Sequence, residues 1–230
     1  MTFFDGAQGR RDLTVLRLLQ LFDSQFPIGA FAHSGGLETY AGAGLDLAGL
    51  RELLSNEIAL GWSRGDLTAV RLAWRESAEP DASERLASLA RRVDAYKVIR
   101  SVRETSLRLG TRTLSLVRRL YPDATTSMDV RPPHYPVVVG AVGRRLDLPL
   151  RELLLAFGQS TIAASLAAAT RCMPVSPAQA QALLVDLQPA LAEAVERSLG
   201  DGDETMFTCT PALDIRNHEQ AFLHTRLFQS

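Results

Sequence analysis

The chain has 230 residues, 46% of them hydrophobic and 22% charged, and a formal net charge of -1. That profile suits a globular protein with a substantial core, and its near-neutral balance supplies no bulk attraction to nucleic acid or an acidic membrane. The two cysteines, Cys172 and Cys209, form no CxxC pair, which argues against a disulfide scaffold and fits a reducing cytoplasm.

The opening MTFFDGAQGRRDL lacks a basic segment followed by an apolar run. No secretory leader is expected there, and residues 1–11 read as a flexible N-terminus. Leu13, Leu16 and Leu19, with Leu18 and Phe22, fall at helical spacing and predict a first helix over Asp12 to Phe22. A short second helix is expected over Leu37 to Ala43, stopped by Gly42 and Gly44. Asp46 reads as the N-cap of a helix over Leu47 to Trp62, and Asp66 as the N-cap of one over Leu67 to Glu76.

After Pro80, the run Ala82 to Leu120 predicts two helices or one long kinked one, and Pro132 and Pro133 mark Pro122 to Pro136 as loop. Val137, Val138 and Val139 favour a strand by propensity, but no other run offers a partner, so they read as the start of a helix. Pro149 suits the first turn of a helix over Leu150 to Arg171, and Pro177 that of another reaching Leu199, with a kink expected at Pro189.

Leu153 to Thr170 carries no charge over 18 residues, the length of a bilayer span. Gln159, Ser160, Thr161, Ser165 and Thr170 hold its hydrophobicity down, so it reads as a buried central helix and no membrane span is expected. The whole predicts one all-α domain, a single-domain bundle of about eight to ten helices over residues 12–200, with a distinct tail at 201–230.

Catalytic and metal motifs are not apparent. There is no GxxxxGK[ST], GxGxxG or HExxH. His218 and His224 lie on different helix faces, and His33 and His134 are isolated in sequence, so neither a metal site nor a bound cofactor is expected. His33 and Ser34 are adjacent, and neighbouring side chains diverge; the surrounding AHSGG is not a hydrolase GxSxG elbow. A hydrolase using that pair is a competing reading that a general esterase screen tests. Between Arg91 and Arg119, nine basic side chains face only Asp94 and Glu104, and Arg92, Arg100, Arg108 and Arg112 recur at multiples of four. That stripe supports an alternative reading as an anion- or RNA-binding helical domain, although few aromatics interleave to stack bases.

The stretch FPIGAFAHSGGLETY, Phe26 to Tyr40, sets a proline, three glycines, a histidine and a serine between apolar helices. Gly29, Gly35 and Gly36 permit backbone shapes that other residues resist, Pro27 fixes the approach, and no catalytic set is completed nearby. The loop, with His33, Ser34 and Glu38, reads as a shaped surface for another protein.

Here the sequence resembles a known family. LLQLFDSQFPIGAFAHSGGLETY is similar to the N-terminal signature of the UreF family of urease accessory proteins. RETSLRLGTRTLSLVRRL resembles that family's central helix, and HYPVVVGAVGRRLDLPLRELLLAFGQSTIAASLAAATRCMPV its next block. NHEQAFLHTRLFQS is similar to its closing segment, departing at Asn217, where the family usually has Met, and at Gln229, where it has Arg.

The resemblance implies an all-helical, dimerising, non-catalytic protein. It would join the scaffold protein UreD (also called UreH) and the GTPase UreG on apo-urease, supporting GTP-dependent nickel delivery and lysine carbamylation. It also implies a docking role for the tail residues His218, Glu219, Arg226, Leu227 and Phe228, with Arg226 as anchor and Tyr40 its neighbour on the loop.

Overall fold

The computed structural model describes residues 7–126, 128–200, 206–223 and 227–228. The all-α reading is what the chain forms, and there is no strand among the described residues. In chain order the helices are α1 (Ala7–Leu21), α2 (Leu37–Gly42), α3 (Leu47–Asn56), α4 (Asp66–Glu76), α5 (Ala82–Tyr96), α6 (Arg100–Leu120) and α7 (Pro122–Thr125). They continue as α8 (Tyr135–Arg145), α9 (Leu150–Cys172), α10 (Pro177–Gly200) and α11 (Pro211–Glu219). Short 3-10 turns cover Ala30–Ala32 and Gln220–Phe222.

The centre is built from α4 and α8, which pack along each other. Leu67 to Ala73 and Pro136 to Gly143 are buried without a break, the pattern of helices surrounded on all sides. Val137, Val138 and Val139 are therefore core helix residues. Long α9 packs on α10 and α4, burying Phe157, Ile162, Leu166, Ala168 and Ala169. It is long and apolar enough to cross a membrane by length and composition, yet these side chains belong to the core of the bundle.

Several boundaries differ from the sequence reading for physical reasons. α1 begins at Ala7, ahead of the leucine repeat, with Gln8 Nε2 bonded to Asp12 one turn on. Asp46 caps as expected, accepting from Gly49 N at 2.8 Å, but the helix it opens changes to a π-helical turn over Glu57–Trp62. Asp66 is not an N-cap: it lies inside the first turn of α4, and its carboxylate is taken by Lys97 Nζ (2.7 Å) and the Tyr96 hydroxyl. That pairing also fixes where α5 stops. The run Ala82 to Leu120 therefore divides into two helices, and Arg92 lies on a different helix from Arg100, Arg108 and Arg112. Pro122 opens the four-residue α7 inside the expected loop, and Pro149 precedes α9 as its N-cap. α10 runs through Pro189, which is exposed, as is Val185 four residues earlier. The proline's missing N–H thus falls on the solvent side, where water can replace it.

Candidate functional site

The loop after α1 is shaped by three glycines with positive φ, Gly29 (81°), Gly35 (58°) and Gly36 (85°), a region where side chains are strained. Gly36 also needs to lack a side chain. A Cβ there would meet Asn217 N at 3.2 Å and Leu213 Cδ1 at 3.3 Å, both on α11. The C-terminal segment thus lies directly on the loop.

A polar cluster closes this contact. Ser34 Oγ donates to Gln220 Oε1 (3.0 Å) and accepts from its Nε2 (2.7 Å), while Gly36 N donates to the same Oε1 (3.0 Å). Gln220 Nε2 also reaches Glu38 Oε2 at 3.3 Å, and Glu38 Oε1 accepts from Leu227 N at 2.7 Å. Thr39 Oγ1 donates to Arg216 O at 3.1 Å, and the Arg216 guanidinium stands 5.4 Å from the centre of the Tyr40 ring. Burial raises the Tyr40 phenol above its ordinary range, with Arg216 opposing and Glu57 adding. Beneath, Arg171 Nη1 donates to Phe31 O (3.1 Å) and its guanidinium covers the Phe228 ring. Loop and tail form one surface.

The tail's apolar groups divide between the two sides of that surface. Phe228 is buried at 6% exposure, whereas Ile215, Phe222 and Leu227 are exposed at 59%, 73% and 70%. His218 packs against the edge of Phe222 with centroids 5.3 Å apart, and Glu219 pairs with Arg216 at 2.9 Å. Large apolar side chains left in water beside a well-braced loop are a feature of docking surfaces.

The loop's other face is held by α6. Arg112 Nη1 donates to Ile28 O at 3.1 Å, and His33 Nδ1 lies 3.5 Å from Thr105 Oγ1. Burial, with Arg108 and Arg112 nearby, lowers the His33 pKa to about 4, so its ring is uncharged at neutral pH. Ser34 points instead to Gln220, while the His33 ring faces Thr105. Elsewhere in the basic stripe Arg100 pairs with Glu104 (2.7 Å), Arg118 Nη2 donates to Met128 O (2.7 Å) and Arg103 Nη1 to Lys97 O (3.1 Å). Part of that charge is thus paired within the chain, although Arg100 and most of the other arginines of the stripe are exposed. His134 is fully buried, with Ser106 Oγ and Asp94 Oδ1 each 3.2 Å from its ring nitrogens. Among the described residues, no group of three or more His, Cys, Asp or Glu side chains is placed to hold a metal ion. Behind the loop opens a cavity of about 280 Å³, walled by Phe22, Phe26, Ile28 and Phe157, with Ser160 and Thr161 of α9 and Glu57 at its polar parts.

The structure therefore brings Gly36, Ser34, Glu38 and Tyr40 together with the tail through Leu227 and Phe228, with Gly29 braced by α6 and His218 and Glu219 on the outer side of α11. Pro27 leads into the loop, away from these contacts. Arg226 lies outside the described residues. Sequence reading missed Arg171, Arg216, Asn217 and Gln220. The last two had a signal, since Leu213, Asn217 and Gln220 fall at i, i+4 and i+7 on one helical face. Glu38 reads from the sequence as a surface group open to a partner, but its carboxylate is already engaged by Gln220 and Leu227. Glu38→Ala should accordingly cost about 1 kcal/mol, and lower the thermal midpoint by about 2–4 °C. Differential scanning calorimetry checks the shift.

Comparison with known proteins agrees with the motifs. The family model described as UreF matches residues 45–188. The urease accessory protein UreF of Haemophilus influenzae (strain PittEE) is 32% identical over 231 aligned residues, covering 96% of this chain and 97% of that protein. UreF of Actinobacillus pleuropneumoniae is 31% identical over 93% of this chain and 97% of its own length. UreF of Thermosynechococcus vestitus is 28% identical over 95% and 99% respectively. With more than half its length matched by the family model and near-complete alignment to relatives above 30% identity, the chain belongs to the UreF family of urease accessory proteins.

Proposed function

We propose that this chain is a non-catalytic component of urease maturation in the cytoplasm. It presents the joined loop–tail surface to the scaffold protein UreD/UreH and links that scaffold to the GTPase UreG on apo-urease. Nickel is the cargo of that assembly, delivered with GTP hydrolysis by the GTPase. The chain acts as a homodimer, with the scaffold protein on each copy and Arg226 as the tail's anchor to it.

The observation that carries this reading is the exposure of Ile215, Phe222 and Leu227 beside a loop fixed by Ser34, Gly36 and Glu38. A rigid polar bed with exposed apolar side chains limits the ordering cost of association, so apolar burial is left to drive it. Leu227 follows Arg226 in sequence, and its N–H is tied to Glu38. Co-expression with the urease subunits and the other accessory proteins is the test. The expected product is a complex retaining the scaffold and GTPase, with two copies of this 25.1 kDa chain by light scattering. A chain that leaves the column alone, as a monomer, contradicts the proposal.

A further inference from the structure

Glu57 is the first residue of the π-helical turn, and it is 5% exposed. Its carboxyl lies against Gly61, where a Cβ would stand 2.7 Å from Oε2. Oε1 has no hydrogen-bond partner among the described residues, while the Thr210 side chain bonds the carboxyl group. Thr210 precedes α11. The chain leading to it crosses the same turn, with Phe207 N donating to Arg64 O (3.4 Å) and Cys209 N to Leu60 O (3.2 Å). Residues 207–214 therefore roof a buried acid.

The charged surroundings oppose ionisation. Burial raises the Glu57 pKa most and the Thr210 hydrogen bond opposes it; Asp214 of α11 and Asp66 of α4 raise it further, whereas Lys97, itself bonded to Asp66 together with Tyr96, lowers it. A neutral carboxyl tolerates one hydrogen bond in such a place. A carboxylate has about four acceptor sites to fill, and leaving them dry is costly.

We propose that the seating of residues 207–214 on the π-helical turn is a proton-linked latch, closed over neutral Glu57 and loosened when that carboxyl ionises and draws in water. Burial, reinforced by Asp214 and Asp66, moves the Glu57 pKa from 4.5 to about 7. The closed form thus holds the proton more tightly than the open form, in which the carboxyl is hydrated. The stabilisation from closing is fully present below pH 4.5, falls as pH rises toward about 7, and is flat beyond. The latch is internal to this chain and does not depend on what the tail binds.

Amide hydrogen exchange of the full chain, read by mass spectrometry on peptides covering residues 206–217, tests it from about pH 5 to 8. After correction for intrinsic exchange, protection in the wild type should fall with rising pH, by up to about tenfold per unit, and level off near pH 7. Glu57→Gln, permanently neutral and of the same size, should be protected independently of pH. Asp214→Asn, which removes a carboxylate that holds the proton in place, should shift the fall to lower pH. A flat wild-type profile overturns the proposal, as does an equal fall in Glu57→Gln. If Glu57→Gln fails to fold, an unchanged midpoint in Asp214→Asn overturns it.

Discussion

Gly110→Ala should destabilise this protein strongly. Gly110 lies in α6 where the loop before α8 crosses it, and a Cβ there would fall 1.8 Å from Pro133 O and 2.9 Å from the His134 carbonyl carbon. These are backbone atoms, next to a fully buried His134 held by Ser106 and Asp94, so nothing nearby can rotate aside. Relief requires α6 and the α8 segment to separate, at an expected cost of about 3 kcal/mol or more. For a chain of this length that lowers the thermal midpoint by about 6–12 °C. Gly42→Ala is the matched control. Nothing lies within 4 Å of its added carbon, so a helical glycine replaced by alanine should gain about 0.5–1 kcal/mol. Circular dichroism melts of the two variants should move in opposite directions.

The second large effect is local. Gln220 is 2% exposed, and one amide serves Ser34, Gly36 N and Glu38. Gln220→Ala takes the acceptor from the Gly36 N–H and the donor from Glu38, costing about 1–3 kcal/mol. Gln220→Glu is no rescue, because a carboxylate still accepts from Ser34 and Gly36 but cannot donate to Glu38, and repels it. Both variants should release the tail from the loop while the central pair α4 and α8 stays folded. Exchange protection lost in residues 33–40 and 211–223, and kept in 136–143, is the expected pattern.

The bundle was legible because its central helices carry their burial in their composition. Val137 to Val139 read as helix for want of a strand partner, and the uncharged stretch Leu153 to Thr170 of α9 read as core. The local misreadings have a common cause in tertiary competition. Asp66 has the residue type of an N-cap, but Lys97 and Tyr96, about thirty positions away, take its carboxylate. Likewise the π turn at Glu57–Trp62 leaves no mark in the hydrophobic pattern that runs through it.

At the site, the glycines announced an unusual backbone, and all three have positive φ. What they accommodate was not legible, because Gly36 is shaped by the approach of Asn217 from 181 positions away. Gln220 looked like one more polar tail residue. Only the folded chain turns it inward.

The central claim is that the loop–tail surface captures the scaffold protein, and immobilised UreD/UreH presented with this chain measures that most directly. Wild-type chain and Gly42→Ala should bind alike. Gln220→Ala, shown by circular dichroism to keep its helices, should bind at least about tenfold more weakly, a loss of about 1.4 kcal/mol in binding free energy. Equal capture of wild type and of a folded Gln220→Ala whose tail has left the loop would contradict the account.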